Sequence, residues 1–465
     1  MLDVVSTRYS RLRMLVGPAI GWLLRKGAWG IADNALMSAT NFAMVVLLAR
    51  ALSPEDFGLY ALIYTSLIFV NGMQAALVSQ PHTMLGAPRE GRAFARYTTD
   101  TAWCQVALAT MTAAATALLA LVGHAAGWQA DTLLLACAPA TAAWQMQEFV
   151  RRVLYTRSAV AKAFANDLVS YGGQLLLVLM LWQADALTPV IAILVLAVTS
   201  LLGVLIGLWQ IRAWLDGAST WQSVRAAARE NWHFGKWLLG GNLATWTSGR
   251  IYPIVAAGLV SVAATGAMKA LQTILGPMNV LTFAIDPLVG PKAARIHARD
   301  GISPLRRFVC RVQLLVLATV GAYCLGVALF ARPLLDLVYG PAYTGYAWLL
   351  SVMAIIYAFT AFRGPMSIAL TAIGETSAIF RVRLASSIAN LTFGLAAVAL
   401  FGIAGIGAGL ILNAIVLQAV TWHFYQRYTG ERAWPPRLLR GRSGPAPARP
   451  ALGGSLTHGD TAPLS

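Results

Sequence analysis

Charged side chains are scarce in this 465-residue chain: 11% of its residues are Asp, Glu, Lys or Arg, against 58% that are hydrophobic. So few charges exclude an ordinary soluble globular protein. Acidic residues are the scarcer sign, 18 against 35 basic ones, which leaves a net charge of +17. Cysteine is limited to Cys104, Cys137, Cys310 and Cys324. These lack the paired spacing of a disulfide framework or a metal site and read as small buried hydrophobes. The sequence has no GxxxxGK[ST] phosphate loop, so the chain is not itself an ATPase. No cleavable leader is expected either, because the first long apolar run follows Arg25 and Lys26 and is long enough to stay as a span.

What the chain has instead is apolar length. Runs of about 20 residues, enough to cross a hydrocarbon core of roughly 30 Å, recur throughout. Twelve spans are placed at 27–49, 58–83, 100–123, 132–150, 160–182, 187–211, 237–258, 263–290, 308–330, 346–372, 379–400 and 404–425. The fold class is therefore an all-α polytopic membrane protein.

Basic residues collect in cytoplasmic loops, so correctly placed spans divide them unevenly. Thirty of the 35, counting those just inside the helix ends, fall on the side of the N-terminus, while the other side has only Arg50 and Arg332. Both termini are expected in the cytoplasm. The positive charge is then an orientation signal, and no nucleic-acid partner is expected. The remaining three cations, Arg250, Lys269 and Arg363, lie within spans.

The segments divide as follows: a basic N-terminal segment at 1–26, a six-helix lobe at 27–211, an amphipathic linker at 212–236, a second six-helix lobe at 237–425 and a disordered tail at 426–465. Segments 1–26 and 212–236 carry basic and apolar residues on helical spacing, which suits either surface helices on an anionic leaflet or solvated basic loops. A shift of 208 residues lays Ser53 on Ser261 and Gly58 on Gly266, each pair following the first span of its half. Twelve spans in two equal halves are the layout of many secondary transporters.

Three stretches carry a resemblance: "LARALSPEDFGLYAL" at 48–62, "LLDLVYGPAYTGYAWLLSVMAI" at 334–355 and "FGIAGIGAGLILNAIV" at 401–416. They resemble the bacterial oligosaccharide and O-antigen flippases, of the superfamily that also holds multidrug extruders and the lipid II flippase. The resemblance implies a V-shaped pair of six-helix lobes in the inner membrane. It implies a lipid-linked cargo, undecaprenyl-diphosphate oligosaccharide, moved for exopolysaccharide or lipopolysaccharide synthesis. Polysaccharide polymerase and chain-length proteins are the expected protein partners. Where relatives carry an acid near the middle of span seven, this chain reads "SGRIYP".

Ionisable residues inside a membrane usually face a partner or a wet cavity. On span seven, Asn242, Trp246 and Arg250 repeat every four residues; on span eight, Lys269, Gln272, Gly276, Asn279 and Asp286 follow helical spacing. Each set marks one helix face. Two readings stand for the three cations. They bind a diphosphate, for which guanidinium and ammonium groups are suited donors, or they pair with Asp286 and other acids as structural glue. The first half has acids instead: Asp33, Glu148 and Asp167. With Asp286, these are candidates for coupling to H⁺ or Na⁺. The competing reading for them is an interfacial salt bridge, such as Glu148 with Arg151 or Arg152. Trp144 and Trp246 lie away from span ends, where they either stack on a sugar ring or pack.

No cofactor or metal is expected, and the chain is not read as an enzyme. Polytopic polymerases and glycosyltransferases build a long outer loop or domain, and no outer connection here exceeds about 15 residues. A cation-coupled multidrug extruder is the runner-up, but its cavity would be mainly acidic or aromatic, whereas three intramembrane cations favour an anionic cargo.

Overall fold

The computed structural model describes residues 28–127, 131–216 and 218–430. The expected N-terminal segment 1–26 and nearly all of the tail 426–465 lie outside them, as do the side chains of Asn279 and Asp286. Every regular element among the described residues is helical. The first lobe holds α1 (Ala28–Ala51), α2 (Pro54–Gly86), α3 (Gly91–Ala125), α4 (Asp131–Thr156), α5 (Val160–Gln183) and α6 (Pro189–Ile211). The second begins with α7, built from Trp221–Thr245, a π turn at Trp246–Arg250 and Tyr252–Leu259. Then come α8 (Val262–Ile274 and Gly276–Asp300), α9 (Ile302–Leu329), a short helix at Ala331–Tyr339 and α10 (Ala347–Ala372). The last pair, α11 from Thr376 and α12 ending at Thr429, form one continuous run divided at Gly402, where φ is +56°. Only glycine adopts that conformation without strain.

Eight helices among the described residues are long and apolar enough to cross a membrane, and one of them, Ser377–Thr429, is 53 residues long and holds both α11 and α12. The spans that fall short are α4, α7 and α8. These three carry Glu148, Arg151 and Arg152, Arg250, and Lys269, and α8 is divided at Leu275. Polar residues in a span are sustained only where protein or water satisfies them.

Local chemistry sets the helix starts. Ser53 caps α2 by accepting from the Asp56 amide, with Pro54 at the first helical position. Ser261 caps α8 in the same way, accepting from the Ala264 amide at 3.1 Å. The two serines related by the 208-residue shift thus do the same work, each relieving an orphan amide of the first turn.

Two sequence expectations are corrected. Span seven was expected to begin at 237, beyond a separate linker, but Thr220 and Ser223 form a capping box and the helix runs unbroken from Trp221. The polar face expected along span eight is interrupted: the helix breaks at Leu275 ahead of Gly276 and Pro277, so Lys269 and Gln272 lie on one segment and Asn279 and Asp286 on the next. Proline lacks the amide and disfavours helical backbone before it, which ends the first segment.

The lobes join at both ends of the bundle. At the face opposite the arginine-rich loops, one apolar core runs across them, including Leu48, Phe57 and Tyr60 with Ala267, Leu271 and Tyr343. There Arg50 of α1 donates to the Val338 and Leu337 carbonyls, at 2.8 and 2.5 Å. At the basic face, the first half of α7 lies on the first lobe. Tyr97 donates to Asn231 Oδ1 at 2.6 Å, Arg89 pairs with Glu230 at 2.7 Å, and Asp100 accepts from Ser223 at 2.8 Å.

Candidate functional site

Between the lobes, α2, α4 and α7 enclose a cavity of about 280 Å³. One wall is Asn242, Trp246 and Arg250 of α7, the three residues expected to share a face. Facing them are Trp144, Glu148 and Arg152 of α4, and Tyr64, Asn71 and Ser79 of α2. Arg250 closes the π turn that covers Trp246–Arg250, a distortion often found at functional positions. Its guanidinium makes no hydrogen bond or ion pair among the described residues and is exposed to the space between the lobes. The Asn71 amide nitrogen is buried with no protein partner. Such a donor is costly to leave unmade, so both groups are available to a ligand.

Aromatic contacts stiffen this cavity. Tyr64 stacks between Tyr60 and Trp144, with ring centroids 5.7 and 5.6 Å away, and Trp246 meets the Phe69 ring edge-on at 5.0 Å. Both tryptophans therefore have packing partners as well as a face on the cavity. Lys269 does not line the wall directly. Its ammonium sits 4.7 Å from the centre of the Tyr64 ring, close enough for a cation–π attraction across the lobe interface. Gln272 is partly buried on the same segment, and Arg363 lies apart on α10, where it donates to Ser367 Oγ at 3.0 Å.

The acids of the first lobe form a second cluster. Arg151 donates to Asp33 Oδ2 at 2.8 Å and to Asp167 Oδ2 at 2.6 Å, and lies 3.7 Å from Glu148. Tyr155 also donates to Asp33, and Tyr171 donates to Glu148 at 3.3 Å. One guanidinium thus gathers three carboxylates from α1, α4 and α5. Asp33 and Asp167 are fully buried, and the Oδ1 atom of each has no hydrogen-bond partner. Glu148 belongs to both places, lining the cavity and touching Arg151.

Sequence reasoning found Glu148, Asp33 and Asp167 but not their common centre. Arg151 stands three residues from Glu148, the one local signal; Asp33 is 118 positions away. It also missed Tyr64 and Asn71 and read Arg152 only as a partner for Glu148; helix packing brings all three to the cavity. Arg383, near the start of α11, donates to Thr245 Oγ1 of α7 at 2.5 Å.

Residues 47–348 match the family model described as polysaccharide biosynthesis protein. No curated protein sequence matches the chain. Three solved structures have a similar fold. An inward-facing multidrug resistance MATE family transporter of the MOP superfamily has a TM-score of 0.66 at 13% identity, over 86% of this chain and 98% of that one. The lipid II flippase MurJ, in an inward closed conformation, has 0.63 at 14%, over 86% and 87%. A MOP superfamily transporter from Pyrococcus furiosus, whose binding pocket is described as having reverse polarity, has 0.58 at 12%, over 88% and 95%. These likenesses establish the fold: the all-helical, two-lobed fold shared with those transporters.

Proposed function

The chain belongs to the polysaccharide biosynthesis protein family, and we propose that it is an inner-membrane flippase for undecaprenyl-diphosphate-linked oligosaccharide. It moves the cargo from the cytoplasmic to the periplasmic leaflet by alternating access, for exopolysaccharide or O-antigen synthesis. The observation that carries this reading is the unpaired Arg250 guanidinium on the inter-lobe cavity. A planar cation there matches a diphosphate in two-point geometry, while Trp144, Trp246 and Asn71 offer ring faces and a free amide to sugars. The arginine-rich face is cytoplasmic in this proposal, because basic loops are retained on that side.

Coupling is assigned to the Arg151 cluster. Three carboxylates on one guanidinium leave surplus negative charge in a desolvated place, which binding of H⁺ or Na⁺ relieves. Glu148, shared with the cavity, is the link between ion and cargo. Within transporters the alternative is extrusion of organic cations. The cavity lining speaks against it, since Arg152 and Arg250 outnumber Glu148 there.

The test is deletion of the gene followed by extraction of lipid-linked intermediates. Accumulation of an undecaprenyl-diphosphate oligosaccharide on the cytoplasmic leaflet, reversed by the intact gene, is the expected result. Unchanged intermediates with increased sensitivity to cationic drugs would replace this reading with the extruder.

A further inference from the structure

The second lobe has cations beyond the cavity wall, and among the described residues three of its arginines, Arg250, Arg363 and Arg383, make no ion pair. Among the described residues the ion pairs are those of Arg89, Arg151 and Arg299. Leaving three guanidinium groups in spans without carboxylates is costly unless an anion visits them.

Their arrangement is ordered. On α11, Arg383, Ser387 and Asn390 follow one another at helical spacing, and this face lies along α7: Arg383 donates to Thr245 Oγ1 at 2.5 Å, Ser387 to the Ala244 carbonyl at 3.1 Å and Asn390 to the Thr247 carbonyl at 2.9 Å. Arg383 therefore sits directly before the π turn that ends in Arg250. It also acts electrostatically on Arg363 of α10, and Arg250 acts on Tyr357, further along that same helix. Arg383 thus lies against α7 and close enough to α10 to act on Arg363. At 1.5 Å per residue from the basic-face helix ends, Arg383 lies about 10 Å deep and Arg363 about 13 Å. Arg250 lies about 13 Å from the far end of α7, near the middle of a hydrocarbon layer of roughly 30 Å.

We propose that Arg383, Arg363 and Arg250 form a graded cationic track on α11, α10 and α7, and that Arg383 is the first protein contact of the lipid's diphosphate as it enters from the basic-face leaflet. The inference rests on the diphosphate reading of the cavity. Arg383 captures the headgroup at the depth a lipid reaches without leaving its leaflet. Arg363, whose Nε is buried without a hydrogen-bond partner, takes it next, and Arg250 holds it between the lobes. Spreading the attraction over successive sites keeps any one of them from trapping the cargo.

The experiment measures association of farnesyl diphosphate with the full-length protein in nanodiscs, with farnesol as the control for the tail. Arg383→Ala is expected to slow association about tenfold at low salt, the scale of electrostatic steering, while Arg383→Lys stays within about threefold. Thr245→Val, which removes the hydrogen bond and keeps the charge, is expected to behave as the parent protein. Should Arg383→Ala not insert, Arg383→Gln removes the charge while keeping a donor for Thr245. If the Arg383 and Arg363 variants associate at the parental rate while Arg250→Ala loses the probe, the track is wrong and the cavity reading stands. If the parent protein binds the diphosphate no better than farnesol, the cavity reading itself falls, and the track with it.

Discussion

Gly58 of α2 and Gly266 of α8 meet across the two lobes: a β-carbon added to Gly266 would lie 3.0 Å from the Gly58 amide nitrogen, and one added to Gly58 would lie 2.1 Å from the Val262 carbonyl oxygen. Neither helix has room for a side chain here. The two glycines occupy matching places in the two halves, and their contact seals the face opposite the arginine-rich loops. Gly58→Val is expected to wedge the lobes apart on that side, at a cost of about 1–3 kcal/mol for overpacking. Cysteine labelling from that face should then reach the cavity, and transport should fall to background in a protein that still inserts. Full transport by Gly58→Val would show that this seal does not form during the cycle.

Arg50 ties α1 to the short helix Ala331–Tyr339 through two carbonyls at its C-terminal end. A cation suits that end of a helix, and the two bonds cross from one lobe to the other. Arg50→Ala should shift the resting protein toward the state open on that face by about 1 kcal/mol, read as faster labelling there with the expression level retained. Labelling at the parental rate would remove Arg50 from the latch.

Arg151 is expected to be structural as well as part of the coupling cluster. Arg151→Ala leaves three carboxylates without their cation and should cost about 3–5 kcal/mol, seen as loss of monodisperse protein in detergent. Adding Asp33→Asn and Asp167→Asn should recover folded protein, because the surplus charge is then gone, yet ion-driven transport should stay absent. Recovery of transport together with folding would place coupling elsewhere.

Arg250 should behave in the opposite way. With no described partner to strand, Arg250→Ala should leave protein abundance within about twofold, since a substitution that strands no buried group changes stability by under about 0.5 kcal/mol. It should abolish glycan export, and Arg250→Lys should retain part of it as a point charge without the fork. Loss of the protein itself, restored by a second change Asp286→Asn, would identify Arg250 as structural glue. Normal export from stable Arg250→Ala would take the residue out of the mechanism.

The sequence by itself determined what is local. A membrane helix satisfies its own backbone hydrogen bonds within the segment, so apolar length made readable the eight long apolar helices among the described residues. The stripe Asn242, Trp246 and Arg250 was readable too, because residues four apart share a helix face whatever that face meets. The cap at Ser53 and its counterpart at Ser261 belong with these, since each acts on an amide three residues away. Only the tertiary structure decided which faces meet. Arg151 reaches Asp33 across 118 residues and Gly58 touches Gly266 across the lobes; both contacts depend on how each helix is rotated and tilted, which hydrophobic length does not record. The same rotation made Arg383 a neighbour of Arg250's helix, and set Asn71 and Tyr64 of α2 against α4 and α7. Span length is written residue by residue along the chain, whereas a cavity between helices is a property of their packing.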